Sequence, residues 1–231
     1  MSSGPASAPP AGGLPPVIAI DGPTASGKGT VAHRVARALG FHCLDSGALY
    51  RIVGLLAIEG GIDLDGGEPL CALAAGLAPV FEDGRIWVGA REITDDIRRE
   101  DVGAAASRVA AVGPLRVALL ELQRRQRRPP GLVADGRDMG TVVFPDAALK
   151  VFLVADVQVR AERRLKQLIE KGYSATLSVL LQGMQERDRR DQSRDFAPLV
   201  PASDAKVLDS SALSADAVVA QVLQWYRGAA A

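Results

Sequence analysis

The segment Val17–Thr30, V-I-A-I-D-G-P-T-A-S-G-K-G-T, constrains this chain more than any other. Val17 to Ile20 is an apolar, largely β-branched run of the length a buried parallel strand needs, and Asp21-Gly22-Pro23 turns the chain sharply after it. Helix-forming side chains follow from Gly27 through Ala36, so a helix N-terminus faces the turn. Backbone N–H groups there have no intrahelical partner and lie at the positive end of the helix dipole, and phosphate groups answer both deficits. Gly22, Gly27 and Gly29 permit torsions and close approaches that a Cβ would block. Lys28 adds a mobile cation for β- and γ-phosphates. The pattern predicts a nucleotide-phosphate cradle over Gly22, Pro23, Thr24, Ala25, Ser26, Gly27, Lys28, Gly29 and Thr30.

The usual form of such a loop is G-x-x-x-x-G-K followed at once by Ser or Thr, whose hydroxyl binds Mg²⁺. Here Gly29 stands in that place and the hydroxyl comes one residue later, at Thr30, so no direct protein ligand for Mg²⁺ is assigned. The G-x-x-x-x-G-K-G-T form resembles that of small monophosphate kinases such as adenylate kinase.

A chain of 231 residues and 24.2 kDa suits one substantial domain with room for a small insertion, and can bury a real core. Its 27 Lys+Arg and 27 Asp+Glu cancel, which leaves no overall basic field for nucleic acid or an anionic membrane, so phosphate recognition must be local. Cys43 and Cys71 are too few for a disulfide framework, and with His33 and His42 they make no zinc set; reduced thiols in a cytoplasmic protein are the simple reading. No apolar run reaches the roughly 18 residues of a membrane span. Residues 1–16, rich in Ser, Ala, Gly and Pro, lack the basic head and apolar core of a signal peptide and read as a disordered tail.

Along the chain, the first helix fades at Gly40 and Phe41–Leu44 forms a second strand ending at Asp45. Asp45 or Ser46 caps a helix running to Gly60-Gly61, which puts Ser46 and Arg51 near the carboxyl end of a strand, where open α/β sheets bind ligands. Residues 62–96 break the rhythm, and Phe81–Val88 reads as two short strands about an Asp83-Gly84 turn. Ile97 to Arg128 is helical by periodicity, broken at Gly113-Pro114, and contains Ser107 and Arg116; its end, Arg124–Arg128, reads as a solvated helix terminus. Leu132-Val133-Ala134 is a strand delivering Asp135-Gly136-Arg137-Asp138. An apolar strand that brings an Asp beside a phosphate loop places a carboxylate to organise Mg²⁺ and its waters, and Asp135 has that position. Leu149–Val154 and Ala205–Asp209 are further strands. Between them Gln158–Arg194 is helical with a break at Lys171-Gly172, and Ser214–Trp225 is an amphipathic helix.

D-G-P-T-A-S-G-K-G-T, D-S-G-A-L-Y-R at Asp45–Arg51, D-G-R-D-M-G-T-V-V-F-P-D at Asp135–Asp146, and the basic cluster Arg187–Arg194 followed by A-P-L-V-P-A together resemble bacterial-type cytidylate kinase over about Val17 to Tyr226. The resemblance implies transfer of the γ-phosphoryl group of ATP, with Mg²⁺, to CMP or dCMP. Gly22 to Thr30 would bind ATP, with Lys28 following the transferred group and Asp135 reaching the metal, if at all, through water. It implies catalytic work for Lys28, Asp135, Arg137, Arg187 and Arg194. Ser46, Arg51, Arg137 and Arg194 would hold the acceptor's phosphate, Arg187 and Asp191 its sugar, and Ser107, Arg116 and Asp138 the base. Arg163 and Arg164 belong to the expected lid.

The expected fold is α/β: a doubly wound, five-stranded parallel sheet flanked by helices, with a small β insertion as acceptor domain and a helical basic lid. In chain terms, the tail is 1–16 and the kinase domain 17–231, its core made of 17–61, 97–156 and 197–231, its insertion 62–96 and its lid 157–196. A monomer acting on small molecules in the cytoplasm, with no nucleic acid or membrane partner, is the default expectation. Two other readings stay open: a kinase of the same fold for AMP, UMP or shikimate, and a nucleotide-binding regulatory module without an acceptor.

Overall fold

In this computed structural model the described residues are 13–82, 84–170 and 172–229. In chain order they form β1 (Val17–Asp21), α1 (Lys28–Leu39), β2 (His42–Asp45), α2 (Ser46–Glu59), α3 (Gly67–Ala75), β3 (Pro79–Glu82), β4 (Arg85–Val88) and β5 (Arg91–Glu92). After a single 3₁₀ turn at Asp96–Arg98 come α4 (Glu100–Val109), α5 (Gly113–Arg124) and β6 (Leu132–Gly136). A π-helical turn at Met139–Val143 leads to β7 (Leu149–Val154), α6 (Val157–Glu170), α7 (Leu177–Gln192), β8 (Lys206–Asp209) and α8 (Ala215–Ala229). The chain divides into two compact units, one of residues 1–45 with 124–231, the other Ser46–Gln123.

The first unit is built on a five-stranded parallel sheet in the order β2-β6-β1-β7-β8, flanked by helices as expected. All five residues of β1 and of β6 are buried, as they must be where both faces of a parallel sheet are covered. One face packs Ile18, Ile20, Val133, Val151 and Leu153 against Val31 and Val35 of α1 and Val218 and Val222 of α8. Gly40 ends α1 in the left-handed region, φ 69°, its N–H returning to Ala36 and Arg37 carbonyls.

Two expectations at the edges of this unit are corrected. Residues 1–12 of the expected tail lie outside the described residues, but Pro15 and Pro16 are held: Arg127 Nε donates to Pro15 O at 2.6 Å and Leu132 N–H to Pro16 O at 2.9 Å. The run Arg124–Arg128 is only in part the solvated helix terminus expected: α5 stops at Arg124, and Arg124, Arg125 and Arg128 are exposed, but two of these arginines have work in the fold. Arg124 donates to the carbonyls of Val142 and Val143, and Arg127 also pairs with Asp146 at 2.6 Å, holding that carboxyl below the usual range.

Among its described residues the second unit has a three-stranded antiparallel sheet, β3-β4-β5, and four α-helices. The hairpin expected at Phe81–Val88 is present, with Phe81 opposite Ile86; of its turn, Asp83 lies outside the described residues. The two-residue strand β5 and helix α3 were not expected. Within this unit α4 packs closely on α2. A Cβ added to Gly54 of α2 would lie 3.1 Å from Ala106 N and 3.2 Å from Ala105 Cβ. Gly54→Val should therefore lower stability by about 1–3 kcal/mol through overpacking; urea denaturation reads this directly, and an unchanged midpoint would contradict the packing account.

Candidate active site

Three adjacent strands of the first unit end in carboxylates at one edge of the sheet. Asp45 of β2 lies in register with Asp135 of β6, which pairs in turn with Ile20 of β1, one residue before Asp21. All strands run the same way, so the acids and the β1–α1 loop share the carboxyl edge, the ligand edge of such sheets. The loop can leave β1 there because residue 22 is glycine: a Cβ would sit 2.1 Å from Leu153 O, at φ 153°. Gly27, φ 93°, precedes α1, whose first turn holds no acidic residue and whose N-cap makes no side-chain hydrogen bond. Ala25 between them is left-handed at φ 56°, a conformation that costs a non-glycine residue about 1–2 kcal/mol.

Lys28 is buried, and its Nζ donates to Pro23 O at 3.1 Å across the loop and lies 3.9 Å from Asp135 Oδ1. Burial pushes the lysine's pKa down, with Arg137 and Arg187 adding and Asp135 and Asp45 opposing. Burial pushes the Asp135 carboxyl up, against the pull of Lys28 and with Asp45 adding. Gly29 also finds its reason here: a Cβ at residue 29 would come 3.1 Å from Asp135 Oδ2. The place where the usual loop has its metal-binding hydroxyl is crowded by this carboxylate, while Thr30 is exposed.

A second cluster centres on Asp191 at the end of α7. Its Oδ2 accepts from Arg137 Nε at 3.0 Å, and its Oδ1 lies 3.2 Å from Arg194 Nη2. Arg194 Nε donates back to the Asp191 carbonyl at 3.2 Å. Burial alone would raise the pKa of Asp191, but Arg137, Arg194 and Arg187 outweigh it and hold the carboxyl below its usual range. Arg137 and Arg187 thus act on both Lys28 and Asp191, which brings the expected residues Lys28, Asp135, Arg137, Arg187, Asp191 and Arg194 into one electrostatic neighbourhood. Asp138, also buried, opens the π-helical turn, its carbonyl accepting from Val142 and Val143 N–H at 2.9 and 3.1 Å.

Ser46 and Arg51 on α2, Ser107 on α4 and Arg116 on α5 all belong to the second unit. Arg51 Nη1 donates to Ile97 O at 2.8 Å, and its guanidinium lies against Gly103. Arg116 is buried, donates to Ala110 O at 3.0 Å and stands 5.3 Å over the Tyr50 ring. Ser46 and Ser107 are both buried.

Sequence reasoning missed Asp21, read only as a turn residue. Its two carboxylate oxygens accept from Met139 and Gly140 N–H, each at 2.8 Å, tying the phosphate loop to the turn that carries Asp138. A buried strand ending in Asp, as in β6, was the available signal. It also missed Arg160 and Ser210, which contact the loop from elsewhere in the chain. Arg163, expected in the lid, donates to Ser210. Among the described residues no cluster of three metal-binding side chains occurs, and no single helix is long and apolar enough to cross a membrane.

The family described as cytidylate kinase matches residues 18–228. A cytidylate kinase of Bordetella bronchiseptica is 57% identical over 215 residues, covering 93% of this chain and 96% of that one. One of Burkholderia vietnamiensis is 58% identical over 212 residues, 92% and 93% of the two chains. One of Cupriavidus necator is 57% identical over 210 residues, 91% and 95%.

Burial raises the Asp21 pKa to about 6, against the two backbone hydrogen bonds that lower it. The native chain then holds this proton more firmly than the unfolded chain, so the carboxyl's contribution falls as pH rises from about 4 to 6. Asp21→Asn lacks that loss. Its stability relative to wild type should improve across the window, by at most roughly 1.4 kcal/mol per pH unit. Urea titrations of both proteins at pH 4.5 and 7.5 test the sign; a gap that is constant or widens would count against a desolvated Asp21.

Proposed function

The chain belongs to the cytidylate kinase family, and from that premise we propose how its residues move the γ-phosphoryl group of ATP onto CMP or dCMP, giving ADP and CDP or dCDP. The observation that carries the assignment of roles is the neighbourhood in the first unit of buried Lys28, Asp135, Asp191 and Arg194 with half-buried Arg137 and Arg187. Phosphoryl transfer asks little covalent work of a protein and much fixed positive charge around the moving group. A site in which Lys28 and Arg194 are already desolvated and face the acids Asp135 and Asp191 needs little reorganisation when negative charge shifts between donor and acceptor.

In this reading residues Gly22 to Thr30 take the ATP phosphates on loop and α1 N–H groups, and Lys28 follows the transferred phosphoryl from donor to acceptor. Arg137 and Arg194 hold the acceptor's phosphate with Ser46 and Arg51. Arg187 and Asp191 meet the sugar. Asp138 reads the base with Ser107 and Arg116: its carboxylate accepts from the N4 amine of cytosine, whereas uracil presents a carbonyl there and leaves two acceptors facing. Such an unpaired buried acceptor costs about 1–3 kcal/mol.

Mg²⁺ fits the donor set. The Asp135 carboxylate is buried with burial disfavouring its charge, it crowds the loop at Gly29, and one carboxylate with phosphate oxygens and water is the usual protein share of a Mg²⁺ site. When bound, the ion would offset phosphate charge. The balanced net charge and the free thiols of Cys43 and Cys71 support a cytoplasmic enzyme acting on free nucleotides.

An ADP-release assay with CMP, dCMP, UMP, AMP and shikimate tests the assignment. CMP and dCMP should be turned over best, and a preference for any of the other three would overturn it. Lys28→Met should lower kcat by on the order of 10²–10³-fold, as loss of a preorganised charge-stabilising donor does. Asp138→Ala should reduce kcat/KM for CMP by roughly 5- to 150-fold, the equivalent of 1–3 kcal/mol, and much less for UMP. Equal losses on the two substrates would remove Asp138 from base reading.

A further inference from the structure

The phosphate loop is gripped at two carbonyls, one on each side of its strained residue: Thr24 O by Arg160 of helix α6 directly, and Ser26 O by Ser210 after β8, to which Arg163 of α6 donates. Arg160, in the first turn of α6, is buried, and each of its three guanidinium nitrogens donates a hydrogen bond. Its Nε donates to Ala155 O at 2.9 Å, its Nη1 to Thr24 O at 3.1 Å and its Nη2 to Asp188 Oδ2 on α7 at 2.6 Å. Arg163 donates through Nη2 to Ser210 O at 2.6 Å and through Nη1 to Ser210 Oγ at 3.3 Å, and that hydroxyl shares its one proton between Ser26 O at 3.2 Å and Val154 O at 3.1 Å. Thr24 and Ser26 flank Ala25, whose left-handed backbone persists only where its surroundings over-determine it. The two gripped carbonyls supply that constraint.

The grip comes from a fixed base. Asp156 caps α6, its Oδ1 accepting from Gln158 N–H at 2.8 Å, and its own N–H donates to Ser211 Oγ at 2.9 Å beyond β8. At the other end of the guanidinium, Asp188 follows Arg187 directly and precedes Asp191 by three residues on the same helix. From this geometry we infer that Arg160 is a positioning residue for phosphoryl transfer: it holds the Thr24 carbonyl, and with it the turn at Ala25, in fixed relation to the helix that carries Arg187 and Asp191.

The chemistry of the side chain suits this task. Three acceptors on three separate elements call for a rigid planar fork, which Arg supplies and Lys does not. Stability alone explains the pair poorly. Asp188 Oδ1 is buried with no hydrogen-bond partner among the described residues, and buried ion pairs often contribute less than apolar side chains of the same volume. Fixed distance is what the arrangement supplies, and a misplacement of about 1 Å can reduce turnover on the order of 10²-fold.

The inference rests on the kinase reading for its kinetic arm and on ATP binding alone for the other. Arg160→Met, Asp188→Asn and the double variant Arg160→Met/Ala25→Gly are compared with wild type for kcat, KM for ATP and CMP, ATP dissociation constant by calorimetry, and urea midpoint. Arg160→Met should lower kcat at least tenfold and weaken ATP at least fivefold, with KM for CMP within twofold. Asp188→Asn, nearly isosteric, should lower kcat at least threefold while the chain stays folded. Glycine at residue 25 adopts the left-handed turn without the grip, so the double variant should recover at least threefold in kcat over Arg160→Met. If Arg160→Met and Asp188→Asn keep kcat and ATP affinity within twofold while only the urea midpoint falls, or if KM for CMP rises as much as that for ATP, the inference is overturned. Should wild type bind ATP but not phosphorylate CMP, the kinase reading fails and the ATP dissociation constants of the variants alone decide the role of Arg160.

Discussion

A lysine ammonium and an aspartate carboxylate 3.9 Å apart, both withdrawn from water, set the terms on which the first unit is built. Taking each charge out of water costs several kcal/mol even after relaxation, and attraction across that gap returns only part of it. The lysine is further opposed by Arg137 and Arg187, and the aspartate by Asp45. A site of this kind is held in place by the fold around it. What it gains is a field already desolvated and oriented for a polyanion, the condition under which fixed charges act most strongly on a transferring phosphoryl group.

The surrounding structure supplies that holding by close contacts that leave few alternatives. Parallel strands bring Asp45, Asp135 and Asp21 to one edge. Gly22 lets the loop cross Leu153 O where any side chain would collide, and Gly29 leaves room for the Asp135 carboxylate. Asp21 clamps the π-helical turn through two backbone N–H groups, and Gly140 in that turn is pressed against the stem of Lys150, whose amine pairs with Asp204 at 2.9 Å. On the far side Asp191 spaces Arg137 and Arg194, so the cations meet a carboxylate before they meet a ligand.

Much of this was legible in the sequence because it is local. The apolar runs of the five strands, the glycine pattern of the loop, the stop at Gly40 and the Asp-rich segment after β6 all declare themselves within a few residues. The remainder depends on where distant side chains arrive. Asp21 reaches amides 118 and 119 residues away, and Arg160 a carbonyl 136 residues away, so neither role leaves a periodic trace. Arg127 looked like surface charge because its partners, Pro15 O and Asp146, lie on other segments. The packing of Gly54 on Ala105 and Ala106 leaves no trace for a similar reason: it is a matter of helix approach, which hydrophobic periodicity does not record. Two residues of β5 carry too little pattern for any reading of strands.

The account depends on Lys28 being a desolvated cation poised for phosphate, and titration of its side-chain amine by NMR, with and without ATP, measures that directly. In the free protein the amine should titrate well below the ordinary lysine range, and ATP should raise its pKa as phosphate charge offsets Arg137 and Arg187. A Lys28 amine that titrates like an exposed lysine, or one whose pKa ATP leaves unmoved, would contradict it.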